Sequence, residues 1–261
     1  MRERLVQLVG AGPGDPELLT LKALRVIRAA HLVVHDRLVS DAVMDLVPPE
    51  IERIDVGKAP GRHALSQDAI NDLLVELARP GLRVARLKGG DPLTFARGGE
   101  EILHLLRHGI RVEVVPGITS AQGCAAALGL PLTHRGLATG LRYLTGTRRD
   151  GWWLDVDWTG LADPQTTLVV YMGLARIGLI AARLIGAGLD PETPALAVQD
   201  GTLPGQRVVR TTLDALPQAV QRARLRTPVL FVIGQVVSLL PEPVLAPAQG
   251  AAALLDQLAG W

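Results

Sequence analysis

The chain has 261 residues, of which 48% are hydrophobic and 20% are charged, and its formal net charge is +1. This composition is typical of a globular protein and gives no reason to expect broad disorder or a nucleic-acid partner. A single cysteine, Cys124, excludes an internal disulfide. The longest apolar stretch, around residues 121–132, is too short to span a bilayer. We therefore expect a cytoplasmic protein without a signal peptide or membrane span.

The first 117 residues alternate apolar strand patterns with amphipathic helix patterns. Strands are predicted at residues 5–9, 31–35, 51–56, 84–87 and 112–115. Asp15, Ser40 and Ser66 are placed to cap the helices that follow them, and another helix is predicted at about 99–108. Five strands separated by helices predict a mainly parallel α/β sheet.

The second half contains a further set of strands and helices. After a helix at 119–128 and a connector at about 129–137, strands are predicted at 141–145, 167–171, 195–198, 207–210 and 229–233. Helices are predicted at 175–185 and near 213–224. The sequence thus predicts two α/β domains, 1–117 and 118–240, followed by a tail at 241–261.

The strand at 84–87 runs into Lys88, two glycines, Asp91 and Pro92. Adjacent glycines allow a ligand to approach the backbone closely, and proline restricts the exit of the loop. Similar loops follow the other strands, bearing Asp36, Gly57-Lys58 and the segment 116–120. Because the carboxyl ends of parallel strands meet at one edge of a sheet, these loops predict a ligand site there.

The first loop, Gly10-x-Gly12-x-Gly14, is followed by Asp36 some twenty residues on and resembles a dinucleotide-binding fingerprint. That fingerprint needs a third glycine where this chain has Asp15. A carboxylate at that position would repel a pyrophosphate. An NAD-linked dehydrogenase is thus a minor alternative. No His/Cys cluster has metal-ligand spacing, so no metal is expected.

Two arginines are candidates for contact with an anionic ligand. Arg97 opens the segment RGGEE at 97–101, and Arg135 lies in the connector beside His134. A planar guanidinium suits carboxylate groups, while the acids after Arg97 also fit the amino end of a helix. These residues alone leave structural and ligand-binding roles open.

The motifs together resemble the tetrapyrrole methylases. The matching segments include RLKGGDP at 86–92 and RGGEE at 97–101, and the others are residues 9–15, 36–40, 57–58, 115–120, 131–135 and 171–173. The two quoted segments are similar to those of one branch of that family, the branch that methylates uroporphyrinogen III. The resemblance covers about residues 4–240.

The resemblance implies a homodimer of two-domain α/β subunits with S-adenosylmethionine in the cleft between the domains and S-adenosylhomocysteine as product. The activity that it implies is C-methylation of uroporphyrinogen III at C-2 and C-7, giving precorrin-2, and it leaves open whether the product feeds sirohaem, cobalamin or haem d1 synthesis. It implies Asp36 as proton acceptor and Lys58 as proton donor. The implied cofactor-binding residues are Pro13, Gly89, Gly90, Asp91, Thr94, Thr119, Ser120, Met172 and Gly201. The implied substrate-binding residues are Arg97, Glu100 and Arg135.

This chain departs from the family pattern in places. Thr94 stands where the family usually has a bulky aliphatic residue, and Thr147 stands where it often has histidine. The alternatives are a later precorrin methyltransferase of the same fold, the NAD-linked dehydrogenase, or a ligand-binding protein without catalytic activity.

Overall fold

The computed structural model describes residues 4–57, 65–147 and 156–240. The chain divides between Ser120 and Ala121 into two compact units, each with a five-stranded sheet. The division lies three residues beyond the sequence-based boundary after residue 117. That the units are separate domains stays a prediction, and the tail at 241–261 lies outside the described residues.

The first unit contains a sheet in which all neighbouring strands are parallel, as predicted. Its strand order is β3-β2-β4-β1-β5. The strands are β1 (Leu5–Gly10), β2 (Leu32–His35), β3 (Glu52–Asp55), β4 (Arg83–Lys88) and β5 (Arg111–Val115). The helices between them are α1 (Leu21–Ala29), α2 (Asp41–Met44), α3 (Gln67–Leu77) and α4 (Gly98–Arg107).

Polar side chains cap the helix starts. Ser40 and Ser66 accept hydrogen bonds from the backbone N–H three residues on, which confirms them as the caps of α2 and α3. Asp15 is confirmed as a cap, but the helix that it caps is a single 3-10 turn at Pro16–Leu18, and α1 begins later, after the cap Thr20.

Both faces of the first sheet are covered by helices. Along β4, Ala85 and Leu87 belong to the core that includes side chains of α1 and α2, whereas Val84 belongs to the core with α3 and α4. Successive residues of a strand point to opposite faces, so Arg86 and Lys88 share the α3/α4 face with Val84. Two basic residues thus lie on a face that is otherwise apolar.

The second unit contains a mixed sheet with the order β6-β7-β10-β8-β9. The strands are β6 (Gly140–Thr145), β7 (Thr166–Tyr171), β8 (Pro194–Gln199), β9 (Arg207–Thr212) and β10 (Val229–Ile233). Among the strands described in this unit, only β6 and β7 pair in parallel, and β10 is antiparallel to both of its neighbours. The helices are α5 (Ser120–Leu128), α6 (Trp158–Leu161), α7 (Ile177–Gly186) and α8 (Leu216–Arg222).

All ten predicted strands are present, and the helices agree with the predictions to within a few residues, except that α6 was not predicted. Within the described ranges, no helix combines the length and the apolar character needed to cross a bilayer.

Candidate active site

Three glycines at the ends of adjacent strands form a bare stretch of backbone, here called the glycine floor. Gly10 ends β1, Gly90 follows β4, and Gly117 follows β5. A Cβ on Gly10 would lie 2.8 Å from the carbonyl oxygen of Gly90 and would overlap the backbone of Gly117. A Cβ on Gly117 would overlap the same Gly90 oxygen. Only glycine fits where backbone packs against backbone, so the centre of this edge has no side chains.

Hydrogen bonds tie the first glycine loop to the central one. Beyond the regular pairing of β1 and β4, Ala11 N donates to Lys88 O at 2.8 Å. Gly12 and Gly90 then exchange two backbone hydrogen bonds, of 3.2 Å and 2.7 Å. The two loops that the sequence analysis treated separately are therefore one hydrogen-bonded structure.

Asp91 links the central loop to the loop after β5. Its Oδ1 accepts hydrogen bonds from Leu93 N at 2.9 Å and from Thr94 Oγ1 at 3.2 Å, and its Oδ2 accepts one from Gly117 N at 3.2 Å. The hydroxyl of Thr94 thus has a structural role that a bulky aliphatic residue would lack. Both carboxylate oxygens are fixed, and Asp91 places a negative charge beside the glycine floor.

The segment after β5 also lies against the central loop. A Cβ on Gly90 would be 3.8 Å from Thr119 Cα and 3.8 Å from Ser120 N. Pro13 follows the bridged Gly12, and the next residue, Gly14, accepts a hydrogen bond from Ser40 Oγ at 2.5 Å. The fold therefore brings the first-unit residues of the implied cofactor set together at one edge of the sheet.

Asp36 lies at the same edge, after β2. Its Oδ1 accepts a hydrogen bond from Leu38 N at 3.0 Å, and its Oδ2 lies 3.4 Å from Arg86 Nη2. Gly57 follows β3, and its N–H donates to Asp55 Oδ1 at 2.7 Å. Lys58, the implied proton donor, lies outside the described residues.

Arg97 and Glu100 form a bidentate pair at the start of α4. Arg97 Nε and Nη2 donate to the two carboxylate oxygens of Glu100 at 2.9 Å and 2.6 Å. The hydrogen bond to Glu100 raises the pKa of Arg97. Arg97 has the left-handed backbone conformation, with φ of 60°, and both side chains are exposed enough to meet a ligand.

The other implied residues belong to the second unit. Met172 follows β7 with a half-exposed side chain and φ of 53°, and its carbonyl accepts a hydrogen bond from Thr147 Oγ1 at 3.1 Å. Gly201 follows β8, and a Cβ there would overlap the Sγ of Cys124. Arg135 is exposed, and its carbonyl oxygen lies 2.8 Å from the Nδ1 of His134.

The family is shown by comparison with known proteins. The model of the Tetrapyrrole (Corrin/Porphyrin) Methylases matches residues 6–217. The chain belongs to the tetrapyrrole methylases. This confirms the resemblance seen in the motifs and does not favour the NAD-linked dehydrogenase.

Individual relatives and structures place this tetrapyrrole methylase more closely. It is 53% identical over 247 residues to the uroporphyrinogen-III C-methyltransferase of Paracoccus denitrificans, covering 93% of this chain and 86% of that protein. It is 53% identical to the siroheme synthase of Azotobacter vinelandii, covering 90% of this chain but 50% of that protein. The uroporphyrin-III C-methyl transferase of Thermus thermophilus, solved in complex with S-adenyl homocysteine, aligns with a TM-score of 0.77 at 46% identity. That alignment covers 89% of this chain and 98% of the other.

The structure also explains why the first loop of this tetrapyrrole methylase does not fit a dinucleotide. A pyrophosphate needs a free helix amino end directly after the glycines. Here a 3-10 turn at Pro16–Leu18 follows them, and the carboxylate of Asp15 accepts the hydrogen bond from Glu17 N. A fixed negative charge therefore stands where the phosphates would bind.

One charged cluster escaped the sequence analysis. Arg86, Lys88 and Glu101 are buried and linked to one another beneath α3 and α4. The sequence signal was present, since basic residues two apart on an apolar parallel strand must share one buried face. Their connection to Asp36 became visible only in the folded chain.

Proposed function

We propose that this chain is an S-adenosylmethionine-dependent C-methyltransferase that methylates uroporphyrinogen III at C-2 and C-7, giving precorrin-2. The observation that carries the proposal is the glycine floor of Gly10, Gly90 and Gly117, flanked by Asp36 and Asp91. The similarity to the Paracoccus denitrificans and Thermus thermophilus proteins over most of each chain also supports the proposal.

The residues of this edge suit S-adenosylmethionine. The floor has no side chains that would keep a nucleoside from the backbone, and the fixed carboxylate of Asp91 matches a positively charged ligand. When bound, S-adenosylmethionine supplies a methyl group already activated on a sulfonium. The residues assigned to hold it are Pro13, Gly89, Gly90, Asp91, Thr94, Thr119 and Ser120 of the first unit and Met172 and Gly201 of the second.

The substrate is a flexible ring that carries eight carboxylates and has electron-rich pyrrole carbons. We assign Arg97 and Arg135 to the carboxylates, because guanidinium groups form charge-assisted hydrogen bonds with them. Glu100 holds Arg97 in one orientation through its bidentate contact. Holding the accepting carbon in line with the methyl group accounts for much of the rate by proximity and orientation.

Transfer of the methyl group from sulfur to a ring carbon that already carries a side chain leaves the tetrapyrrole with a positive charge, which the loss of another ring proton removes. Asp36 is the proposed acceptor of that proton. Its Oδ1 accepts a hydrogen bond from Leu38 N and its Oδ2 lies beside Arg86 Nη2, so each oxygen keeps a lone pair that can take the proton. Lys58 is the proposed proton donor.

The test combines purified protein, labelled S-adenosylmethionine and uroporphyrinogen III. We expect two labelled methyl groups per ring, and loss of at least about a hundredfold in rate for Asp36→Asn, the lower range for removal of a general base. S-Adenosylhomocysteine binding of Asp36→Asn, measured by calorimetry, should equal that of the wild type. Absence of transfer by protein that binds the cofactor would overturn the substrate, and full activity of Asp36→Asn would overturn the base.

We also propose the homodimeric assembly and cytoplasmic location that the family resemblance implies. Light scattering of the purified protein tests the first, and a monomer at assay concentrations would contradict it.

A further inference from the structure

Four charged side chains form a chain of contacts along the α3/α4 face of the first sheet, here called the Arg86 network. Lys88 Nζ lies 2.6 Å from Glu101 Oε1, and Arg86 Nη2 lies 3.5 Å from the same oxygen. Arg86 Nη2 also lies 3.4 Å from Oδ2 of Asp36. The network thus runs from the interior of the unit to the proposed proton acceptor.

The interior members of the network are costly to bury. Glu101 is 0% exposed, and the side chains of Arg86 and Lys88 are 3% and 4% exposed. Burial, and then the neighbouring charge of Arg86, lower the pKa of Lys88. Desolvation of such ions costs several kcal/mol each, and apolar residues of similar volume often stabilise a fold as well or better. Folding stability alone therefore does not account for these side chains.

The network has a second carboxylate, Asp36, at its outer end. Arg86 and Lys88 share the single interior carboxylate of Glu101, and Asp36 is the other carboxylate that Arg86 contacts. Asp36 is the most exposed member, at 27% of its side chain. The nearest charged groups to Arg86 are Asp36 after β2, Lys88 on β4 and Glu101 on α4, and His35 lies beside Asp36, with Nδ1 3.4 Å from its carbonyl oxygen.

The guanidinium of Arg86 is fixed by contacts other than the one to Asp36. Its Nη1 donates to the carbonyl of Leu87 at 2.9 Å. Its neighbour Glu101 is itself fixed, because Oε1 accepts hydrogen bonds from Lys88 Nζ at 2.6 Å and from Gln67 Nε2 at 3.2 Å. A guanidinium fixed in this way offers Nη2 to Asp36 from a constant direction.

We propose that Arg86 is a positioning residue for Asp36, whose carboxylate it holds in one direction through the Nη2 contact, with Glu101 and Lys88 holding Arg86 in place. This inference rests on the proposed function, in which Asp36 accepts a proton from the tetrapyrrole. Arg86 itself touches neither ligand. Its effect on the reaction passes entirely through the Asp36 carboxylate.

The experiment measures kcat and KM for methyl transfer to uroporphyrinogen III by full-length wild type, Arg86→Gln and Arg86→Lys. Without the Nη2 contact the Asp36 carboxylate is no longer held in one direction, so kcat of Arg86→Gln should fall about tenfold. KM should change less than about threefold, since ligand contacts are intact.

Arg86→Lys is the conservative variant, which keeps the charge and loses the planar guanidinium. Its kcat should fall by only a few-fold, with KM near that of the wild type. Arg83→Gln is the matched control, because Arg83 lies on the same strand at its exposed start, where its Nε donates to Ala29 O at 2.5 Å. Its kcat and KM should equal those of the wild type.

A double variant separates action through Asp36 from a general structural effect. In single-turnover assays, Arg86→Gln should lower the residual rate of Asp36→Asn by less than about twofold, because residues that act as a unit are non-additive. Equal effects in both backgrounds would overturn the inference, as would an unchanged kcat in a folded Arg86→Gln. If Arg86→Gln does not fold, the same comparison is made with Arg86→Lys, and equal effects of that substitution in both backgrounds would overturn the inference.

The outcomes also separate this inference from the proposed function. Full activity of Asp36→Asn removes the base assignment, whatever Arg86 does. An inactive Asp36→Asn together with an unchanged kcat of Arg86→Gln removes only the role of Arg86.

Discussion

The two units differ in sheet direction and in what confines the glycines at their strand ends. In the first unit all five strands run in parallel, and bare backbone closes the edge where Gly10, Gly90 and Gly117 meet. In the second unit the sheet is mixed, and although Gly146 again packs against backbone, Gly201 packs against a side chain. Where backbone packs against backbone only glycine fits, whereas a neighbouring side chain can be replaced by a smaller one.

The contrast extends to what surrounds each glycine. Gly117 is confined by peptide atoms of neighbouring strands, which cannot move without disturbing the sheet. Gly201 is confined mainly by the Sγ of the buried Cys124, a side-chain atom. A second substitution should therefore not relieve crowding at Gly117, whereas removal of the Cys124 thiol should relieve crowding at Gly201.

The largest effect is expected for Gly117→Ala. The added Cβ would overlap Gly90 O and lie 2.8 Å from Gly10 Cα, so we expect a loss of about 3 kcal/mol or more in the free energy of unfolding, the upper range for overpacking. Urea unfolding measures this loss, and calorimetry should show weakened binding of S-adenosylhomocysteine. The matched control is Gly99→Ala, because a Cβ there has no neighbour within 4 Å. Wild-type stability of Gly117→Ala would refute the packing described for the glycine floor.

An intermediate effect is expected for Gly201→Ala. Overlap with Cys124 Sγ should reduce the free energy of unfolding by about 1–3 kcal/mol. In the double variant with Cys124→Ala, the nearest remaining atom is Val198 Cγ1 at 3.3 Å, so more than half of the loss should return once the cost of Cys124→Ala alone is subtracted. Strict additivity of the two substitutions would show that Cys124 is not the cause.

The smallest effect is expected for Thr147→Val. The substitution keeps the shape and removes the hydrogen bond to the carbonyl of Met172, which should cost about 0.5–1.5 kcal/mol. Thermal or urea unfolding measures it, with Thr145→Val as a comparison on the same strand end, where Oγ1 bonds the carbonyl of Thr147 instead. A loss in the free energy of unfolding above that range for Thr147→Val would mean that the hydroxyl stabilises the second unit through more than this one hydrogen bond.

Sequence reasoning predicted the first unit better than the second for a physical reason. Once strands and helices alternate, the sheet is parallel and every strand end lies at one edge, so Asp36, Gly89 and Thr119 could be expected there together. The second unit follows no such rule, because β10 inserts between β7 and β8 in the opposite direction. Asp15 shows a limit of prediction from a short sequence pattern, because a cap motif does not reveal whether a 3-10 turn or a full helix follows.

The sequence by itself determined the family, the strand and helix pattern, and the glycines of the floor, because these follow from local residue order. Only the tertiary structure decided which atoms confine each glycine and that Asp91 joins two loops through Gly117 N. It alone connected Arg86 to Asp36 and Glu101, residues 50 positions and 15 positions away in the chain. Such contacts depend on strand order and side-chain direction, which arise from packing of the whole unit and are not encoded in any short segment.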